Sequence, residues 1–182
     1  MKNKIGPVLI VLIIVVAVVG STYSWFSWQT SEEEKIGVDF STGGASSDCI
    51  TYSTSTSGEE ILIPVSAKEK GYITNIEIAQ TCNTDLYADF DLNLTSFPTN
   101  LKDQSFKYTL VENNIVVGEG DFSNATQGDI IKLAQNQLIS STTRNYTLYL
   151  WIDGNLNNPN TMQNQEYNFN LVANVTDEFP TN

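Results

Sequence analysis

The chain contains no histidine. That absence removes Ser-His-Asp and Cys-His triads, histidine-ligated zinc and the usual general base near neutral pH. Cysteine is nearly absent too. Cys49 and Cys82 are the whole complement, and two thiolates without histidine leave a zinc site short of ligands. Neither a phosphate-binding P-loop nor a dinucleotide fingerprint occurs. Cations are scarce, with 9 Lys and Arg against 21 Asp and Glu, and the net charge of −12 repels nucleic acid and anionic lipid. These absences point away from an enzyme, a cofactor protein or a nucleic-acid binder.

What is present begins with a leader. Lys2 and Lys4 precede Val8 to Val19, an unbroken apolar run of 12 residues, and no charge occurs from Ile5 to Ser31. Twelve residues suit the core of a signal peptide, because a spanning helix takes about 20. Thr22 and Ser24 then stand at −3 and −1 of a cut between Ser24 and Trp25. The rival reading is a retained anchor over residues 5–26, with Tyr23, Trp25 and Trp28 as an interfacial aromatic belt. Either reading sends the remainder out of the cytoplasm, with membrane contact through the N-terminal segment at least before processing. The chain from Trp25 onward lacks Lys2 and Lys4, which leaves seven basic residues against 21 acidic and a net charge of −14. Its length suffices for one well-cored domain. The expected organisation is a signal peptide or anchor at 1–24, an arm or linker at 25–35 and a β domain at 36–182.

Period-two alternation marks the domain. In Leu86 to Leu94, Leu86, Ala88, Phe90, Leu92 and Leu94 share one face while Tyr87, Asp89, Asp91 and Asn93 take the other. Tyr146, Leu148, Leu150 and Ile152 alternate in the same way, as do Tyr167, Phe169, Leu171, Ala173 and Val175. The run from Tyr72 to Cys82 puts Ile76, Ile78 and Cys82 on one parity and predicts an inward cysteine. Further strands are expected at 36–41, 60–65, 106–112, 115–122 and 130–139, the last fitting a short helix nearly as well. Ser41 to Gly58 reads as a loop or as strands broken by turns. Asn113-Asn114 suits a two-residue hairpin, since Asn tolerates positive φ. No segment after the leader reads as a strong helix, so the expectation is an all-β antiparallel β-sandwich, jelly-roll or Ig-like, behind an N-terminal hydrophobic signal or anchor helix.

Candidate sites are few. Cys49 and Cys82 predict a disulfide in an oxidising exterior, closing a loop worth about 3–4 kcal/mol in the chain-entropy model. Asp153, Asn155 and Asn157 match the start of a calcium loop, but Asn158 stands where glycine is needed and Asn164 where a bidentate Glu belongs. A structural turn is the expectation there, with calcium as a weak candidate and no other metal or cofactor. Asp89 and Asp91 resemble a glycosidase carboxylate pair, yet a solvated strand face places acids the same way. Asn93, Asn124, Asn145 and Asn174 each open an N-x-[ST] sequon. Tyr149 and Trp151 offer rings to a sugar or a partner, or simply cover the second face of a sheet.

The stretch GSTYSWF, residues 20–26, resembles the signal-peptide end of TasA- and camelysin-like secreted proteins of Gram-positive bacteria. There a SipW-type peptidase cuts after a T-[WY]-[AS] element followed shortly by Phe, which Thr22, Tyr23, Ser24 and Phe26 match. The resemblance reaches from Met1 to Phe26 and implies a cut after Ser24. The later stretch YTLYLWIDGNLNNPNTMQNQ looks like a segment of uncharacterised exported proteins. TasA-like proteins are jelly-roll subunits of biofilm matrix fibres, in which an N-terminal strand of one subunit completes the sheet of the next. The resemblance therefore implies a non-enzymatic surface or matrix subunit that self-assembles through its arm. The alternative is an anchored or secreted module that binds a surface glycan or protein.

Overall fold

The structure, a computed structural model, describes residues 36–42, 49–57, 64–139, 143–156, 162 and 165–177. The leader with Ser24 and Trp25, the arm at 25–35, and Asn157 lie outside the described residues. No helix among the described residues is long and apolar enough to cross a membrane.

The described chain is all-β. Ten strands run in order as β1 (Ile36–Thr42), β2 (Ile50–Ser57), β3 (Pro64–Val65), β4 (Tyr72–Gln80) and β5 (Leu86–Ser96), then β6 (Phe106–Glu112), β7 (Ile115–Asp121), β8 (Ile130–Ile139), β9 (Arg144–Asp153) and β10 (Asn168–Thr176). They form two sheets. One has the order β1-β10-β5-β8, the other β2-β4-β9-β6-β7 with β3 paired to β9. One core lies between them, and the alternation of three central strands explains it. In β5, β9 and β10 the odd or even members are buried in strict turn, contributing Phe90, Leu92, Leu148, Leu150, Phe169 and Leu171 among others.

Segment 130–139 is strand β8 rather than a helix. The ambiguity came from its bulges: register against β5 shifts between Ala88 and Phe90 and again before Asp91, so the apolar positions lose strict alternation. The Asn113-Asn114 turn has φ of 45° and 69°, positive at both positions, as a tight hairpin between Glu112 and Ile115 requires.

The strands are mostly antiparallel, as expected, with two exceptions, and one expectation needs correction. The pairing is not wholly antiparallel, because β1 runs parallel to β10 and β3 parallel to β9. Each of these strands reaches its partner across a long stretch of sequence, so no tight hairpin dictates antiparallel entry. Strand β4 also ends at Gln80, two residues before Cys82, which sits half-buried in the turn leading to β5 rather than on the strand's inner face.

The two ends of the core differ in chemistry. At one end the chain passes between sheets after β5, β7 and β9, and Phe97, Phe106, Phe122, Tyr167 and Phe169 stack with ring centroids 4.4 to 6.5 Å apart. At the other end β4 crosses to β5 and β8 to β9. There the inner faces of β6 and β9 bring Arg144 Nη1 to 2.7 Å from Glu112 Oε1, with side chains only 28% and 17% exposed. Tyr146 packs beside Phe90 next to that pair, at 4.5 Å between ring centroids.

Gly118 marks where the edges of the two sheets meet. A Cβ there would overlap the carbonyl oxygen of Leu133 on β8, so only glycine lets β7 come this close.

Candidate functional site

Each residue singled out from the sequence and described by the structure has a definite place. Cys49 and Cys82 form a disulfide with Cα atoms 4.9 Å apart. It ties the start of β2 to the turn after β4, and the Thr81 N–H donates to the Cys49 carbonyl at 2.9 Å beside it.

Asp153 and Asn155 come together at the end of β9. One Asp153 oxygen, Oδ2, accepts from Lys107 Nζ at 2.8 Å. The other accepts from the Asn155 backbone N–H and from its Nδ2, both at 3.0 Å. The backbone closes around them, with Asp153 N–H to Ser105 O at 2.7 Å and Gly154 N–H to Val65 O at 2.8 Å. Both carboxylate oxygens are thus engaged in a local turn and an ion pair. Hydrogen bonding from Lys107, ahead of the bonds from Asn155, holds this carboxyl below the ordinary carboxylate range.

Asp89 and Asp91 face outward from β5 and hold the irregular part of β8. Asp89 Oδ1 accepts the Asn136 backbone N–H at 2.7 Å, and Asp91 Oδ1 accepts from Gln135 Nε2 at 3.2 Å. Asn136 has φ of 57°, so the carboxylate secures a left-handed residue in the bulge. This task explains two acids two residues apart without any reaction. Spacing alone misses it, because the bulge they serve lies three strands further along the chain.

The four sequons fall in different settings. Asn124 is exposed in the turn after β7, whereas Asn93, Asn145 and Asn174 lie within strands, Asn93 with its side-chain oxygen buried.

The outer face of the second sheet carries a row that periodicity did indicate. Asn145, Thr147, Tyr149 and Trp151 point outward from β9, the two rings half-buried. Lys68 Nζ lies 5.1 Å from the Tyr149 ring centroid, and Gly71 closes against Trp151. Beside this row, Ser53, Ser55, Asn75, Glu77, Asn145 and Thr147 line a shallow groove of about 230 Å³ across β2, β4 and β9. Thr147 Oγ1 donates to Asn75 Oδ1 at 3.1 Å within it. Among the described residues no three Cys, Asp or Glu gather as a metal site.

No protein-family model, no curated protein and no solved structure matches this chain. What the residues do must therefore be argued from their own geometry.

Proposed function

We propose that this is an exported, non-catalytic β-sandwich, of jelly-roll or Ig-like type, that serves as a cell-surface or matrix subunit and assembles through its N-terminal arm. The observation that supports this most is the place of β1. It is the first described strand, it lies at the edge of its sheet, and β10 is its single neighbour there. An edge strand joined to its sheet on only one side leaves its other side for the arm 25–35 of another copy to pair with. The Cys49–Cys82 disulfide favours an oxidising, extracytoplasmic setting. The TYS element before Trp25 supplies the route out.

The test compares the chain starting at Trp25 with one starting at Ile36. If the arm joins subunits, the longer form gives regular fibres in electron micrographs while the shorter stays folded and monomeric. Two monomeric forms, or unfolding of the shorter one, defeats the proposal.

The outer groove and the Tyr149–Trp151 row favour a second reading, a module that binds a neutral surface glycan or a protein. Hydroxyl and amide groups beside half-buried rings suit sugar hydroxyls and sugar faces. Chemical-shift changes confined to β2, β4 and β9 on addition of a neutral oligosaccharide would support it, and unchanged spectra would remove it.

A further inference from the structure

The loop between β7 and β8 holds its shape without the side chain of Asn124. Phe122 and Ala125 are buried and anchor the loop to the core. Asp121 Oδ1 accepts the Ser123 backbone N–H at 2.9 Å, and Asp129 Oδ2 accepts both the N–H and the hydroxyl of Thr126 at 2.8 Å. The Ala125 N–H donates to Phe122 O at 3.1 Å, and the Gly128 N–H donates to Leu94 O at 2.8 Å. Side chains of this kind fix a turn through its own backbone. Asn124 enters none of these bonds, by its amide or by its backbone. Its side chain is exposed, and Nδ2 reaches Ser123 Oγ at 3.5 Å, the long limit for a hydrogen bond.

Asn124, Ala125 and Thr126 form a sequon, the acceptor pattern for an N-linked glycan, which calls for a surface loop on an exported chain. The other three sequons sit within sheets. Asn93 is half-buried on β5, in register with Asn170 on one side and Ile130 on the other, and its side-chain oxygen is buried. Asn174 is half-buried on β10, in register with Ser41 and Asp89. Asn145 is exposed but lies on β9 in register with Glu77, and its carbonyl accepts the Asn113 N–H from the other side. A transferase has to seat the whole sequon, and backbone bonded on both sides resists being drawn out. The loop yields more easily, because its Thr126–Asp129 bond is exposed and is given up without touching the core.

We infer that Asn124 is an N-glycosylation site, modified on the exported chain by a transferase that uses an oligosaccharide linked to a polyprenyl diphosphate. The Asn124 amide nitrogen gives up one hydrogen as a proton and bonds to C1 of the first sugar. The C1–O bond to the carrier breaks, and the lipid diphosphate leaves with that electron pair. Nothing is oxidised or reduced. The attached glycan disturbs none of the bonds that shape the loop.

The site gives the molecule a covered side. Its loop joins β7 to β8, the two edges that meet at Gly118, and Ile130, 61% exposed, follows directly. A bulky, solubilising glycan there screens edges that otherwise invite another chain. β1 and β2 lie at the opposite margins of the two sheets, so the β1 edge stays clear. The inference rests on the export part of the proposed function and not on assembly through the arm.

The test is mass mapping of the protein recovered from the cells that make it, reduced and digested with trypsin. Cleavage after Lys70, Lys102, Lys107, Lys132 and Arg144 places Asn124 in segment 108–132, apart from Asn93 in 71–102 and from Asn145 and Asn174 in 145–182. Segment 108–132 should carry the mass of a whole oligosaccharide. Asn124→Gln and Thr126→Ala should each remove it, and Thr126→Ser, which keeps the hydroxyl, should restore it. Asn124→Gln leaves the loop's bonds in place and should be exported at the parent's level. A bare 108–132 in chain found outside the cytoplasm overturns the inference and leaves export standing. A chain confined to the cytoplasm with Met1 intact overturns both. A glycan on 71–102 or 145–182 with 108–132 bare, or a mass on 108–132 that survives Asn124→Gln, also rejects Asn124 as the acceptor.

Discussion

One end of the core is closed by five aromatic rings, the other by an ion pair, a tyrosine and a disulfide. Each closure follows from what the chain must do there. At the aromatic end, connections after β5, β7 and β9 cross between the sheets, and rings of about 150–250 Å² fill the wide gap that the crossings leave. At the other end, Arg144 and Glu112 come from inner-face positions of neighbouring strands where the core meets solvent. There they still exchange a charge-assisted hydrogen bond without full desolvation. Burial also pushes the Tyr146 hydroxyl well above its ordinary pKa, with the Glu112 carboxylate adding to the shift and Arg144 opposing it. The lesson is that a two-sheet core can be sealed by shape at one end and by charge and covalent linkage at the other, and the two seals fail differently.

The largest expected effect is at the aromatic end. Phe122→Ala removes a ring in contact with Phe97, Phe106, Tyr108 and Phe169 and should cost about 3–5 kcal/mol in chemical denaturation. A loss below about 1 kcal/mol would mean that this end is loosely packed, and the contrast would collapse. At the opposite end, Cys49→Ala with Cys82→Ala, or reduction, should cost about 3–4 kcal/mol through the sequence separation of 33 between them.

Glu112→Gln comes next. Fully buried pairs cost about 3–5 kcal/mol to break and exposed pairs about 0–1, so this partly exposed pair should cost about 1–2 kcal/mol. Adding Arg144→Met should recover part of the loss in a double-mutant cycle. The smallest effect belongs to the other ion pair, Lys107–Asp153, on the outer face near the aromatic end. The Asp153 carboxyl is depressed below its ordinary 3.8, so it adds stability above that pH and loses it as pH falls through the lower folded value. Asp153→Asn should flatten that acid limb and change stability at neutral pH by less than about 1 kcal/mol. The two pairs are exposed to nearly the same degree, 28% and 17% against 31% and 17%, so a larger cost for Glu112→Gln would trace to its place on the inner faces of the strands rather than to exposure.

How much of this is legible in sequence depends on whether a strand buries a face. β5, β9 and β10 each bury one, and their inward residues are named correctly by parity alone. The Asn113-Asn114 hairpin is readable because two positive φ angles require a special residue type. The disulfide is readable because the two cysteines leave a single intramolecular pairing. β2 leaves no apolar alternation because neither of its faces is covered, so the same Ser and Thr run fits a loop equally well. The partners of β1 and β3 are hidden for another reason. A strand's composition specifies a buried face but not which distant strand lies beside it. The roles of Asp89, Asp91 and Asp153 belong to the same class, since each is defined by a group remote in sequence or by a turn closing on itself.

The position of β10 has a kinetic consequence. It lies between β1 and β5 and supplies Phe169, Leu171, Ala173 and Val175 to the core, yet it is the last of the described strands to be synthesised. β1, the earliest, has its register partners at the far end of the chain, with Ile36 opposite Phe169 and Thr42 opposite Val175. Non-local pairing of this kind places folding in the slow range of roughly milliseconds to seconds. The sheet built around β10 cannot close before residues 168–176 have been made, so β1 waits through more than 120 residues of synthesis for the strand that pairs with it.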